Sequence, residues 1–431
     1  MNDKIKNMGV VNKVALPSLD PPANTIGVVG WLRNNLFSSP FNSILTLLGG
    51  GLVLVAIPPA LNWTIFDAVW SGGSEACKVT PDVACWPFVG AWWEFFIYGF
   101  YEQSERWRID LVLWFLYAWV AFIVVDDETR ANRPTSSVLA FVIGAISVIF
   151  ITLLLRHGAP TMWLLVGALL TIGLILWAWN LPNGRSRIGM ILLFVFPVGA
   201  YFVLGGGVLG LVVVPTSNWG GFSLTLIIAI TGIVASLPLG ILLALGRRSD
   251  LPALRLVCTL FIEFWRGVPL ITVLFMASFM LPLFMPKGVH FDQLIRALIG
   301  VALFSSAYMA EVVRGGLQAI PKGQYEGAQS LGLSYWKTMG LIVMPQALKI
   351  VIPGIVSTFI GLFKDTTLVL IIGLIDFLNS VQTAFTNPEW SIQSVPYTGY
   401  IIVALVFWFH CYGMANYSKH LEDKLHTGHK R

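Results

Sequence analysis

Glu326-Gly327-Ala328, then three residues to Gly332, nine more to Ile342, and Met344-Pro345 just beyond, form a polar stretch set between two strongly apolar runs. Pro321 suits the first turn of a helix, where a missing N–H costs nothing, and Tyr325, Ala328 and Leu331 then share one face at helical spacing. Gly332 stops that helix. Ser334 is placed to cap a second helix by accepting a backbone N–H, and Trp336, Met339 and Gly340 lead it back into apolar sequence. The stretch predicts a soluble helix-turn-helix projecting from a bilayer.

The rest of the composition agrees. With 56% hydrophobic and 11% charged residues among 431, the chain has too little polar surface to cover itself in water, which predicts an all-α polytopic membrane protein. About ten spans can be drawn: 41–60, 109–125, 138–155, 162–179, 188–214, 222–245, 257–285, 294–313, 341–374 and 397–417. The ninth is long enough to be broken or re-entrant. If the N-terminus is cytoplasmic, 18 of the 27 Lys and Arg fall on the inner side, so the positive-inside rule places both termini and the Glu326 loop in the cytoplasm. The net charge of +5 then follows from topology, and nucleic acid is not an expected partner. The N-terminal residues lack the pattern of a cleavable signal, so the first span is expected to be retained.

Cys77 and Cys85 share the loop between the first two spans, where an oxidising periplasm permits a disulfide; paired and free states stay equally open. Cys258 and Cys411 lie in spans and read as apolar filler.

The order E-A-A, three residues, G, nine residues, I, one residue, L-P resembles the signature loop of importer permeases of the ATP-binding-cassette class, with Gly327 and Met344 as departures. The resemblance continues through Gly246-Arg247-Arg248-Ser249, Glu263-Phe264-Trp265-Arg266-Gly267-Val268-Pro269, Ser306-Ala307-Tyr308-Met309-Ala310-Glu311, Arg314-Gly315-Gly316 and Lys364-Asp365-Thr366-Thr367-Leu368. These motifs are those of permeases for polar amino acids (the His, Glu, Gln, Arg and opine family), and the length and layout are similar to the longer permease of general L-amino-acid systems. The resemblance implies a C-terminal five-span permease core of the type I importer fold over 218–420, with its coupling loop at 321–345. Ahead of it would lie a tail at 1–40 and a five-span extension at 41–217 carrying an outer loop at 61–108; a tail at 421–431 would follow. It also implies that Glu326, Gly327, Ala328, Gly332, Ile342 and Pro345 couple the chain to an ATPase. The implied partners are a homologous second permease, two copies of the ATPase, a periplasmic amino-acid-binding protein and membrane lipid, in a bacterial inner membrane.

Charges inside spans need partners or a water-lined path, since an unpaired one costs roughly 2.5–3.5 kcal/mol at mid-helix on insertion scales. Glu263 and Arg266, three apart on one face, read as a structural ion pair beside the break at Gly267 and Pro269. Glu311 and Arg314 have the same spacing; Arg314 reads as interfacial and tied to the coupling loop, while Glu311 reads equally as a pair partner or as an acceptor for a substrate ammonium. Adjacent Lys364 and Asp365 point about 100 degrees apart on a helix and cannot simply satisfy each other. Asp365 and Thr366, with Lys364 beside them and Ser306 and Tyr308 across a cavity, are the expected substrate pathway; a buried structural pair is the competing reading.

The chain has no G-x-x-x-x-G-K-[ST] loop, H-E-x-x-H, G-x-S-x-G or paired-Cys zinc spacing, so an enzyme, a bound cofactor and a metal centre are not expected, and ATP would be used by partner subunits. An ion-coupled secondary transporter would use the same intramembrane carboxylates but leaves the Glu326 loop unexplained. A structural half of a heterodimeric permease, with the pocket in its partner, is the third reading.

Overall fold

The computed structural model describes residues 27–124, 146, 148–158, 167, 185–208, 210–286, 288 and 291–425, and these are almost entirely helical. They form two units, Met1–Ala68 and Val69–Arg431. In the first, α1 (Gly27–Asn35) precedes α2 (Pro40–Leu61), which Ser39 caps by accepting the Asn42 N–H at 3.2 Å. A π-helical turn extends α2 to Phe66, giving one apolar helix of 27 residues with no buried residue.

The second unit begins with α3 (Ser74–Val79), α4 (Trp86–Tyr98), α5 (Trp107–Val124), a helical segment at 148–156 and α6 (Arg185–Gly205). It continues with α7 (Gly221–Arg247), α8 (Pro252–Gly267) and α9 (Leu270–Phe284). Next come α10 (Gln293–Ala319), α11 (Lys322–Ser330), α12 (Tyr335–Thr338) and α13 (Met344–Ile350). The chain closes with α14 (Ile352–Asp365), α15 (Phe377–Phe385) and α16 (Val395–Leu425). Helices α7 and α10 form the axis of the bundle. They pack so closely that a Cβ on Gly240 would lie 2.7 Å from the Met309 side chain, which is how helices hold together where lipid removes the hydrophobic drive.

Five described helices are long and apolar enough to cross a membrane, or six if the bent pair α8–α9 is one span. That pair turns by 103° at Val268-Pro269, the break expected from Gly267 and Pro269. The expected spans 138–155 and 162–179 fall mostly outside the described residues. The run at 341–374 is not one span: residues up to Ile350 belong to the rise from the loop, the helix breaks at Val351, and the span is Ile352–Ile372 with its last turns 3-10. Pro353, which belongs in a first helical turn, marks the restart.

The boundary expected at 217/218 is not a packing boundary. One apolar cluster joins Phe88, Phe96, Leu113 and Leu204 of the preceding region to Leu224, Val273, Leu294 and Phe377. At one end of the bundle, called here the cap end, residues 69–101 fold over α15 and α16. Cys77 and Cys85 are disulfide-bonded, Trp70 stacks on Trp86 with centroids 5.3 Å apart, and Ser74 Oγ donates to Glu389 at 3.0 Å. The Cys85 N–H donates to Thr398 Oγ1 at 3.0 Å. The opposite end carries α11 and α12, together with the C-termini of α7 and α10.

Candidate functional site: the projecting loop and the charged cluster behind it

Pro321, extended at ψ 142, sits just outside α11 and hands on to Lys322 as its first residue. Ala328 is buried and Tyr325 half-buried, packing the helix against the loop-end core of Val313, Leu317 and Val343. Leu331 departs from the expected face: the helix ends there, and its side chain is 77% exposed. Gly332 closes the helix in the left-handed region at φ +71, and the Leu333 N–H returns to the Ala328 carbonyl at 3.1 Å. Ser334 caps α12 through its backbone carbonyl, which accepts from Thr338 at 2.8 Å; its hydroxyl is not used in the cap. Glu326, Gly327 and Pro345 are exposed, and Ile342 is half-buried in a π-helical turn that leads into α13. Gln346 on α13 donates to Gln324 on α11 at 3.0 Å, closing the loop on itself. The result is a closed helical knob with Glu326 on its exposed surface.

Arg248, rather than Arg314, ties this knob to the spans. Its Nη1 donates to the Leu317 carbonyl at 2.9 Å and to the Tyr325 hydroxyl at 3.3 Å. Its neighbour Arg247 turns the other way, into a cluster that crosses three helices. Arg247 donates to Glu311 at 2.6 Å and to Glu263 at 2.8 Å; Arg314 grips both Glu311 oxygens, the shortest contact being 2.7 Å; Arg266 lies 3.6 Å from Glu311. Glu263 and Arg266 therefore take other partners than each other. A second basic helix end outcompetes the intrahelical pairing, because Arg247 reaches two carboxylates at once and Arg266 rests over the Tyr308 ring, 5.7 Å from its centroid. Three guanidiniums against two carboxylates leave the cluster with a net charge of +1.

The Lys364-Asp365 step lies where α14 tightens into a 3-10 helix at Thr366. Lys364 is exposed and Asp365 half-buried, and neither carries an ion pair among the described residues. Thr366 does not face them: its hydroxyl is buried and donates to the Phe363 carbonyl at 2.8 Å, while Thr367 occupies the more open side. Ser306 is fully buried and donates to Leu303, at the wall of a 720 Å3 cavity bounded by Leu242, Phe261 and Trp336 that includes neither Asp365 nor Tyr308. Among the described residues, Ser306 thus lines a cavity apart from Asp365 and Tyr308.

Sequence reading passed over Asp376. Fully buried, it caps α15 by accepting from the Asn379 N–H at 3.0 Å, beside bridges from Ile375 and Asp376 to Gly220 and Gly221. Burial pushes its carboxyl up to about 6, against the pull of its hydrogen bonds from Asn379 and Leu378. Asp-Phe-Leu-Asn at 376–379 was the available signal, since Asp before an apolar run is an N-cap pattern.

The family model described as "binding-protein-dependent transport system inner membrane component" matches residues 236–425. The inner membrane amino-acid ABC transporter permease protein YhdY of Escherichia coli (strain K12) is 46% identical over 420 residues, covering 97% of this chain and 99% of that one. The glutamate/glutamine/aspartate/asparagine transport system permease protein BztC of Rhodobacter capsulatus is 38% identical over 439 residues, covering 95% and 96%. Among solved structures, an amino acid ABC transporter crystallised with histidines is 29% identical, with a TM-score of 0.41 over 47% of this chain and 92% of that chain. The similarity to YhdY and BztC includes the region ahead of the permease domain, so the whole described architecture is shared rather than its C-terminal half alone. The chain belongs to the amino-acid ABC transporter permeases: it is a membrane-embedded transport subunit of a system that also comprises an ATPase and a binding protein.

Proposed function

We propose that this subunit imports polar or general L-amino acids, pairing with a homologous second permease and two copies of the ATPase and receiving substrate from a periplasmic binding protein. The loop end and both termini face the cytoplasm, as the Lys and Arg distribution supports. The name of the Rhodobacter relative points to acidic amino acids and their amides as the substrates to test first. The observation that carries the reading is the knob of α11 and α12. It presents Glu326 outward while Tyr325 and Arg248 bind its root to the end of α10, so a push on the knob reaches the spans without passing through a flexible joint.

Closure of the ATPases would displace α11, and Arg248 would carry the motion into α7 and α10 as a rigid-body shift. Glu311 serves as the tie between those helices. Lys364 and Asp365 are the charges offered to a zwitterion, one to its carboxylate and one to its ammonium, completed by the second permease. The relatives give no support to an ion-coupled transporter.

Uptake of labelled L-amino acids into vesicles holding the assembled system is expected to require ATP and to survive an ionophore. Glu326→Lys is expected to leave the subunit inserted and assembled with its second permease while abolishing uptake. Normal uptake by a well-expressed Glu326→Lys protein would overturn the coupling role.

A further inference from the structure

At helical spacing Arg266 would belong to Glu263, but that carboxylate is held by Arg247. The other carboxylate of the cluster is full. Arg314 makes three bonds to the two Glu311 oxygens, at 2.7–3.1 Å, and Arg247 adds a fourth at 2.6 Å. Arg266 stands off Glu311 at 3.6 Å, too far for a hydrogen bond, and makes none elsewhere among the described residues. The positive charge left over by three guanidiniums and two carboxylates is therefore carried by Arg266.

The side chain is nonetheless held in place. Its guanidinium lies over the Tyr308 ring, 5.7 Å from the centroid, and stays 37% exposed. Tyr308 is exposed too, and its hydroxyl has no hydrogen-bond partner among the described residues. An arginine fork and the hydroxyl of the ring beneath it, both without an acceptor, match a carboxylate. The surroundings in the bent span α8–α9 are apolar, with Phe264, Ile271 and Phe275 exposed around the bend. A charge facing acyl chains there is costly, and one that snorkelled to the headgroups would leave Tyr308 and Glu311, so the fork opens on a water-lined path.

The depth of this site separates it from Lys364 and Asp365. A Cβ on Gly232 of α7 would touch both Leu362 of α14 and Val301 of α10, so those two residues share a level. From that level Tyr308 lies seven residues along α10 toward the loop end, and Asp365 three residues along α14 toward the cap end. At 1.5 Å per residue they are on the order of 15 Å apart along the bundle, farther than the two charged groups of one amino acid can reach. We propose that Arg266, with the Tyr308 hydroxyl, receives the α-carboxylate of the amino acid in transit, as a second station on the loop-end side of Lys364 and Asp365. The proposal rests on the import reading above. Every amino acid carries that carboxylate, so the station serves the rate of passage rather than the choice of side chain, and filling it neutralises the charge left over in the cluster.

The test is ATP-driven uptake of labelled L-glutamine by vesicles holding the assembled transporter and its binding protein. Arg266→Gln is expected to lower kcat about tenfold, the cost of one charge-assisted hydrogen bond, while KM changes less than about twofold, the split produced by a contact made after substrate has been accepted. Arg266→Lys, which keeps the charge, is expected to recover most of the rate, and neither variant is expected to melt earlier, since no hydrogen bond is given up. In the wild-type transporter, L-glutamine is expected to slow modification of Arg266 by phenylglyoxal, read by peptide mass spectrometry, whereas L-glutaminamide, which lacks the carboxylate, is expected to leave it unchanged. An unaltered kcat, equal losses in the Gln and Lys variants with a lowered melting temperature, or equal protection by the two compounds would overturn the station. Absence of ATP-driven uptake in wild type would bring down the import reading and the station with it; normal wild-type uptake matched by Arg266→Gln would bring down the station alone.

Discussion

Glu311→Gln takes away the carboxylate on which Arg247, Arg266 and Arg314 converge. Arg314 grips both oxygens and Arg247 one of them, while Arg266 at 3.6 Å adds attraction without a hydrogen bond. Charge-assisted bonds of this kind contribute about 1.5–3 kcal/mol each when well buried. Here Glu311 is 16% exposed and the three arginines 23–37%, so screening reduces each bond to roughly 1 kcal/mol. Adding the repulsion among three guanidiniums that keep only Glu263 to offset them, the expected loss is roughly 2–3 kcal/mol. Denaturant unfolding in detergent of the single variants and of Glu311→Gln/Arg247→Gln should show a coupling energy of about 1 kcal/mol, because the Arg247–Glu311 bond can be lost only once, while the Arg247–Glu263 contact falls to the second substitution alone. Amino-acid KM should change less than threefold. The reasoning would be refuted by strictly additive losses, or by unchanged stability together with a tenfold rise in KM, which would return Glu311 to the role of ammonium acceptor.

Asp365→Asn should lower the transport rate or narrow the range of amino acids carried while leaving ATPase association intact; unchanged kinetics for every amino acid in a panel would remove Asp365 from the pathway. Asp376 supplies a pH dependence of defined sign. Its folded pKa of about 6 lies above the ordinary 3.8, so between those values the folded state holds a proton that the unfolded state has lost, and stability should rise as pH falls from 7 toward 4. The gain is on the order of 1–3 kcal/mol, and Asp376→Asn should flatten the profile; an unchanged slope would assign it elsewhere. Opening the Cys77–Cys85 bond, whose partners are 8 residues apart, should cost roughly 2–3 kcal/mol by loop entropy, read as a lower melting temperature of Cys77→Ser/Cys85→Ser. An unaltered melt would show that the stacking of Trp70 on Trp86 holds the cap without it.

The projecting knob was legible because it obeys the capping and turn rules of soluble helices: Gly332 closes the first helix in the left-handed region and the polar face is exposed, although Pro321 precedes the first turn it was expected to occupy. Ser334 shows the limit, since the backbone did the capping its hydroxyl was expected to do. The cluster around Glu311 was legible only in part. Spacing along one helix finds Glu311 with Arg314 but cannot show that Arg247, arriving from the end of α7, would claim Glu263 as well. The length of the run at 341–374 announced a break but not its place, because apolar residues continue across Val351 and hydropathy does not register a change of direction. The boundary expected at 217/218 followed where motifs begin. Packing ignored it, since the aromatic residues of α4 had no other core to enter.

The cap described above also sets an order of events in biogenesis. Ser74 and Cys85 find their partners Glu389 and Thr398 more than 300 residues later in the chain. At ordinary synthesis rates of about 5–20 residues per second, the emerging cap waits roughly 15–60 s before the surface it covers exists. During that interval the Cys77–Cys85 bond can keep the segment compact, a service to the nascent chain beside the one it gives the finished fold.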